Sequence, residues 1–415
     1  MPSSHDLPAS ADPDPQVIPW LSSPEALEAI DRAEAAGQAT VAGTAALRRK
    51  IGPDRAAAVL SAAAARGKAI DKWGTGPWLV TDRGIQQATD RAIASYKSRR
   101  VPAGLEIFDW CCGVGGEAMQ LSDRGPLTAI DRDPKIAEMA RHNLGVHRDQ
   151  QAASDVAGWE FRSTVICDDV FAHHPPAAAW LNLDPDRRSE SNTAGTSRAT
   201  HCDYLQPPLS DWLPVAKQVA GASIKLAPAT QLPEECHELG EREWISHRGS
   251  CRQQVLWLGE ASPPGTIRAT VVTGDDSATS FAVDQPQQCD QTDTCEAFAF
   301  DLDPAVRAAG LSESYAAAKG LRALGGPAGF FTAQQNDVDA LAQPFEVLWH
   351  GVADMKKLRQ AVAAIDGCVS EVKIRGLDWK PPTIIKKLGR REGKKLTLLA
   401  SRIGSYCGAI LAVRP

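Results

Sequence analysis

The sequence predicts an α/β fold, a doubly wound parallel sheet with a helical segment before it and a small α+β region after it. Three observations carry this reading. From Gly104 onward, short apolar runs alternate with helical stretches, the pattern of βαβ units. Two adjacent apolar segments, EWISHRG and CRQQVLWLG, follow the fifth such run and read as a closing antiparallel hairpin. The stretch before Gly104 is Ala-rich with helical period instead. The chain has 415 residues, enough for two or three domains at roughly 150 residues each.

In chain order, residues 1–16 are polar and proline-rich and read as a disordered tail. Ser23 followed by Pro24 is an N-cap with proline at the first helical position. ALEAIDRAEAAG and DRAAAVLSAAAARGKAI continue the helical period, with Gly37 and Gly67 as stops, and a helical domain is expected over residues 17–100. The α/β domain follows over 101–273, with strands in LEIFDW, LTAID, STVICDD, AAAWLNLD and ASIKLAP and helices in GGEAMQLSDRG and PKIAEMARHNLGV. Residues 274–296 are polar and nearly free of periodicity, and are expected to be a linker or long loop. The α+β region then spans 297–415. Its helices are AVRAAGLSESYAAAKGLRAL and MKKLRQAVAAI, and its strands PFEVLWH, CVSEVKIRG and GAILAVR.

Composition bounds the function. The chain is 43% hydrophobic and 23% charged, values of an ordinary globular protein. No apolar run approaches the roughly 18–20 residues of a membrane span, and the N-terminus lacks a signal peptide, so a cytoplasmic location is expected. The ten cysteines show no CxxC; they read as reduced, mostly buried thiols without a metal site. The net charge of −6 is unevenly spread. Residues 351–415 hold 14 Lys or Arg against 5 Asp or Glu, a net of +9, and the first 350 hold 31 against 46, a net of −15. A basic tail on an acidic body points to a polyanionic partner.

The densest chemistry lies in FDWCCGVGGEAM, between a strand and a helix. Gly113, Gly115 and Gly116 allow a tight turn and close approach of backbone amides to a ligand. The pattern Gly113-x-Gly115-x-x-Ala118 also satisfies a permissive dinucleotide fingerprint. Three acids discriminate. Asp109 ends the first strand, where a carboxylate suits an ammonium better than a pyrophosphate. Asp131 ends the second, 18 residues after Gly113, where an acid accepts from ribose hydroxyls. Asp168 and Asp169 end the third, where an adenine amino group would be read. Asp133, just before Pro134, reads as a helix cap. Ribose, adenine and an amino acid together make S-adenosylmethionine. An NAD-dependent oxidoreductase would leave Asp109 and Asp169 without a role.

DWCCGVGG, AIDRDP, ICDDVF and LDPDRR resemble the first four motifs of class I S-adenosylmethionine-dependent methyltransferases, over roughly Leu105 to Val272. The resemblance implies a seven-stranded Rossmann-like sheet with a reversed last strand. It implies S-adenosylmethionine as cofactor, held by Asp109, Cys111, Gly113, Gly115, Gly116, Asp131, Arg132, Asp168 or Asp169, and Asp184. Further segments, WLVTDRGIQQATDRAIASYKSRR, YLQPPLSDWLP, IKLAP and RIGSYCGAILAVRP, resemble a bacterial methyltransferase group with a C-terminal THUMP-like domain. THUMP domains in general bind RNA, so this resemblance implies an RNA substrate.

The acceptor side is expected at the end of the fourth strand, with Asp184, Pro185 and Arg187 as the catalytic set and Asp186 and Arg188 beside them. Methyl transfer is an in-line displacement that depends on alignment, so no separate acid/base pair is required. Tyr204, Pro207, Pro208 and Ser210 form either a substrate wall or a turn capping the next helix. Lys225 either reaches the surface or points into the site. Lys380, Lys386, Lys387, Arg390, Arg391, Lys394 and Lys395 cluster beside Trp379 and are the expected RNA-binding surface. A protein or small-molecule acceptor, or an RNA-binding protein with a degenerate cofactor site, are the alternatives. The oligomeric state is left open.

Overall fold

Among the residues that the computed structural model describes (17–36, 40–152, 162–187, 202, 205–259, 262–326, 329–389, 392–403 and 406–415), six helices precede the first strand. They are α1 (Val17–Leu21), α2 (Pro24–Ala35), α3 (Val41–Ile51), α4 (Pro53–Trp73), α5 (Asp82–Gln87) and α6 (Arg91–Arg100). The Ser23 hydroxyl accepts from the Ala26 amide at 3.3 Å, with Pro24 at the first helical position, as the sequence predicts. The expected tail over 1–16 and the stop at Gly37 lie outside the described residues. Gly67 does not end a helix. It sits inside α4, which runs on to Gly74; an interior glycine costs only about 1 kcal/mol, which the buried face of Ala62, Ala65, Ala69 and Trp73 outweighs. These helices have no core of their own. Leu21, Ile30, Val59, Trp73, Trp78 and Ile93 form one cluster with Ile107, Leu127, Val255 and Trp257 of the following sheet. The helical segment is therefore part of the α/β unit and not a separate domain.

That unit comprises β1 (Ile107–Trp110), α7 (Ala118–Leu121), β2 (Leu127–Asp131), α8 (Pro134–Ala152), β3 (Ser163–Cys167), β4 (Trp180–Leu183), a two-stranded ribbon of β5 (Asp186–Arg187) and β6 (Leu205–Gln206), α9 (Leu209–Ala216), β7 (Gly221–Leu226), α10 (Glu234–Leu239), β8 (Gly240–His247), β9 (Ser250–Gly259), β10 (Ile267–Gly274) and β11 (Ser277–Val283). The sheet order is β11-β10-β8-β9-β7-β4-β1-β2-β3. Strands β1, β2, β3, β4 and β7 run parallel, and the expected hairpin β8–β9 inserts its second strand antiparallel against β7.

The sheet has nine strands, where seven were expected. One of the two extra strands, β11, falls within the linker expected over 274–296: Ser277–Val283 pairs antiparallel with β10 along the sheet edge. An edge strand with all of its residues exposed or half-exposed has a polar sequence and hides its period. Its Phe281 packs edge-on against Tyr315 at 5.5 Å. A shared core of Trp244, Ala269, Val271, Phe300, Leu302 and Tyr315 joins the two units.

The C-terminal region contains β12 (Gln291–Thr292), β13 (Phe298–Leu302), α11 (Pro304–Ala308), α12 (Ser312–Ala318), β14 (Arg322–Leu324), β15 (Phe331–Ala333), β16 (Ala342–Val352), α13 (Met355–Ala364), β17 (Gly367–Arg375), α14 (Pro381–Leu388), β18 (Lys394–Ile403) and β19 (Tyr406–Val413). It is α+β, as expected, but the single helical run around AVRAAGLSESYAAAK is broken at Gly310, whose φ is +72°. Its eight strands are ordered β12-β14-β15-β13-β16-β19-β18-β17. Strands β13 and β17 are four positions apart, about 19 Å in a flat sheet. Yet Lys373 Nζ and Arg375 Nη2 of β17 lie 2.9 Å and 3.0 Å from Asp301 of β13. The sheet is therefore rolled into a trough around Phe330, Phe345, Leu399 and Ile410, with α13 and α14 packed on its outer face.

Among the described residues, no helix is long and apolar enough to cross a membrane. All ten cysteines are free thiols; Cys112, Cys202, Cys236 and Cys295 are buried and Cys167 is exposed.

Candidate functional site

The carboxyl ends of β1, β2, β4 and β7 open into a cleft of about 2040 Å³, where ligands sit in open α/β sheets. The chain leaves β1 through a turn that enters the left-handed region at Cys111 (φ +59°), Gly113 (+56°) and Gly115 (+89°). The three glycines serve different ends. A Cβ on Gly113 would meet no atom within 4 Å, so its backbone faces the open cleft. A Cβ on Gly115 would make only an ordinary 3.5 Å contact with Ala140 Cα of α8; its φ of +89° is what calls for glycine, and it does not line the cleft. A Cβ on Gly116 would lie 3.2 Å from the Trp73 ring, so it secures the loop to α4.

The floor of the loop is a buried polar network. Asn182 Nδ2 donates to Asp109 Oδ1 at 2.7 Å and to Glu117 Oε2 at 3.1 Å, while its Oδ1 accepts from Ser223 at 2.7 Å. Glu117 also accepts from Thr89 at 2.7 Å and from Lys97 Nζ of α6 at 2.5 Å. Burial pushes the Glu117 carboxyl up, but Lys97, Lys225 and these hydrogen bonds outweigh it and hold it at about 2. Asp109 has the opposite balance. Burial, with Glu117 and Asp184 nearby, overcomes the hydrogen bond from Asn182 and pushes its carboxyl up to about 8. Its Oδ2 is buried and has no hydrogen-bond partner among the described residues. An orphaned buried oxygen of this kind is costly unless a ligand donor completes it, and an ammonium group fits that need.

Asp131 Oδ2 accepts from the Gly113 amide at 3.1 Å and Oδ1 from the Asp133 amide at 3.0 Å, while burial raises its pKa. Each oxygen keeps a lone pair for a further donor, and Asp131 and Arg132 line the cleft. Asp133 caps α8 through the Lys135 amide at 2.9 Å, as expected. Asp169 lines the cleft and caps the short turn Val170–Ala172. Asp168 does not line it; His173 Nε2 at 2.9 Å holds its carboxyl below the ordinary range. Of the two, only Asp169 lines the cleft.

At the tip of β4, Asp184 Oδ2 pairs with Lys225 Nζ of β7 at 2.7 Å, and the same ammonium donates to the Gln87 carbonyl at 3.1 Å. Lys225 therefore points into the site. Burial raises the Asp184 pKa against the pull of Lys225. Pro185, Asp186, Pro207 and Pro208 line the same end. The backbone of Arg187 pairs with Leu205; its side chain, Arg188 and Tyr204 lie outside the described residues. Ser210 does not cap α9. It lies one residue inside the helix and bonds Asp211 at 2.8 Å.

The opposite wall comes from residues that motif spacing did not reveal. Asp54, Ala58 and Ser61 of α4 and Thr81, Arg83 and Gln87 around α5 face the sheet tips across the cleft. Arg83 reaches Asp186 at 3.4 Å. Lys97, Glu117, Asn182 and Ser223 were also missed. The usable signal was a lone amide and a lone hydroxyl inside the apolar runs WLNL and GASIKL.

The basic cluster stands apart from the cleft. Lys380 just before α14, Lys386 and Lys387 on it, and Lys394 and Lys395 at the start of β18 are exposed, and Arg390 and Arg391 lie outside the described residues. No group of three or more His, Cys, Asp or Glu side chains among the described residues is arranged to hold a metal ion.

No family model matches the chain. A solved structure of a methyltransferase named as putative, from Porphyromonas gingivalis, superposes with a TM-score of 0.75 over 94% of this chain and 98% of that one, at 17% identity, which shows a shared fold. The chain is 30% identical over 350 residues to two uncharacterised S-adenosylmethionine-dependent methyltransferases from two strains of Mycobacterium tuberculosis, covering 83% of this chain and 90% of theirs. A relationship of that extent, joined to a glycine loop over an orphaned carboxylate, makes S-adenosylmethionine the cofactor and places the chain among the class I S-adenosylmethionine-dependent methyltransferases.

Proposed function

We propose that this enzyme methylates RNA. The observation that carries the reading is the set of five exposed lysines at the start and end of α14 and at the start of β18, none of which makes an ion pair among the described residues. They form a sequence-independent landing surface for phosphate on a chain whose first 350 residues are net acidic. The rolled C-terminal sheet is then a THUMP-like RNA-binding domain. The run β3-β2-β1-β4-β7-β9-β8 is the seven-stranded catalytic core, extended by β10 and β11.

Bound S-adenosylmethionine supplies a methyl group activated on a sulfonium. The unpartnered Asp109 oxygen takes the ammonium, the Gly113 turn lies along the methionyl part, Asp131 takes ribose hydroxyls and Asp169 the adenine amino group. Cys111, Gly116 and Arg132 complete the cofactor wall, while Gly115 supports it from behind. The acceptor enters beside Asp184, Pro185 and the backbone of Arg187. Asp184, anchored by Lys225, accepts a hydrogen bond from the acceptor N–H or O–H and receives the proton released on methylation. Alignment of the two reactants can supply roughly 7–11 kcal/mol of the barrier.

The test is incubation of the protein with labelled cofactor and total RNA from a strain lacking the gene, followed by mass spectrometry of nucleosides. A single newly labelled nucleoside is expected. Label recovered only in protein or small molecules would replace RNA as the acceptor.

A further inference from the structure

The acceptor side of the cleft carries more acids than bases, which disfavours phosphate there. On its acceptor side Asp54, Asp82, Asp184, Asp186 and Asp211 outnumber Arg83, Lys225 and Arg252. Lys225 and Arg83 are already paired with Asp184 and Asp186. An uncharged base can enter such a space, but the phosphates on either side of it must be held outside. The lysines on α14 and β18 do not line the cleft, so they leave this task open.

Helix α3 does not line the cleft itself but packs on α4, which does. Gly52 alone separates it from α4, whose first turns put Asp54, Ala57, Ala58 and Ser61 on the cleft wall. Lys50 is four residues from Asp54, no more than about 15 Å of chain. The helix leans Leu47 and Ile51 on the core but has no fully buried residue. Its last turn carries Arg48, Arg49 and Lys50 in succession. All three are exposed and make no ion pair among the described residues. One cation is enough to complement a helix end. Three successive cations fan over about 200° of the helix, because each residue turns the chain by about 100°, and all three are exposed to solvent.

We infer that α3 is a second nucleic-acid docking element, which grips the phosphates flanking the nucleotide in the cleft through Arg48, Arg49 and Lys50. The inference rests on RNA as the substrate, and makes binding bipartite. The C-terminal lysines gather the RNA, and α3 fixes the strand at the rim so that an acidic interior meets only the base.

The test measures the affinity of a short, labelled single-stranded RNA for the full-length protein as a function of salt. Three proteins are compared: wild type, Arg48→Ala/Arg49→Ala/Lys50→Ala, and Lys386→Ala/Lys387→Ala/Lys394→Ala/Lys395→Ala. Each lost single-strand contact lowers the log–log salt slope by about 0.7, so the α3 variant is expected to lose about 2 from the slope, with its thermal midpoint unchanged. The charge-conserving variant Arg48→Lys/Arg49→Lys is expected to keep the wild-type slope. An α3 variant with the wild-type slope, beside a C-terminal variant that loses slope, overturns the role of α3 and leaves RNA binding standing. A wild type with no affinity for RNA overturns both.

Discussion

Asn182 and Asp109 face each other on neighbouring strands, the amide donating to one carboxylate oxygen at 2.7 Å while the other oxygen stays buried and unpartnered. Because burial pushes this carboxyl up to about 8, it carries a proton at neutral pH that a bound ammonium must displace. Cofactor affinity is therefore expected to fall roughly tenfold per pH unit below about pH 7. Asp109→Asn should bind more weakly at about pH 8 and lose the dependence. Calorimetry across pH checks this, and a flat wild-type profile would remove Asp109 from the ammonium site.

Lys97→Met should be among the most damaging single changes away from the cleft. It strands Glu117 in the interior, and breaking a buried pair costs about 3–5 kcal/mol. With Lys97 present, the Glu117 carboxyl is depressed to about 2. Its contribution to stability is thus present above the ordinary carboxylate pKa and is lost only as pH falls through about 2. Without Lys97, burial dominates and Glu117 takes up a proton, so the deficit of the variant should shrink as pH is lowered towards about 5. Urea denaturation at two pH values measures both effects. An equal deficit at both would mean that the lysine acts by packing alone.

Asp184→Asn is expected to reduce turnover by about 10²–10⁴-fold, the range for a positioned proton acceptor, with a much smaller effect on cofactor affinity. Lys225→Met removes the ammonium that opposes the raised pKa of Asp184, and should move the acidic limb of the pH–rate profile upward, whereas Lys225→Arg should restore it. Rate profiles of the three variants decide the matter; an unmoved limb in Lys225→Met would uncouple the lysine from Asp184.

Two alanine substitutions separate ligand-facing from supporting glycines. Both residues have positive φ, which costs an alanine about 1–2 kcal/mol. Gly113→Ala adds a methyl group to the open cleft and should weaken cofactor binding well beyond its effect on stability. Gly115→Ala, 3.5 Å from Ala140, should lower the thermal midpoint and leave cofactor affinity of the folded protein close to wild type. The same loss of affinity in both would show that the loop acts as one rigid unit.

The strands that frame the glycine loop were legible because their parts are local. Strands β1 and β4, buried along their whole length, read as continuous apolar runs, and each places an acid at a predictable tip. What could not be read depends on distant segments meeting. Lys97 is recognisable as functional only once Glu117 lies beside it, and Asp54 only once α4 stands across from Asp184. That Asp169 lines the cleft while Asp168 turns to His173 depends on the fold. Edge strand β11 was lost for a simpler reason, since a strand exposed over much of its length carries no apolar period.

The position of Lys97 has a consequence for synthesis. At about 5–20 residues per second, the lysine leaves the ribosome seconds before Asn182, and Trp73 and Trp78 leave well before Val255 and Trp257, with which they share a core. The first hundred residues must then wait, apolar side chains uncovered, until most of the sheet has been made. A nascent chain of this protein is expected to draw on chaperones early, and a premature stop within the sheet should yield insoluble product instead of a stable helical fragment.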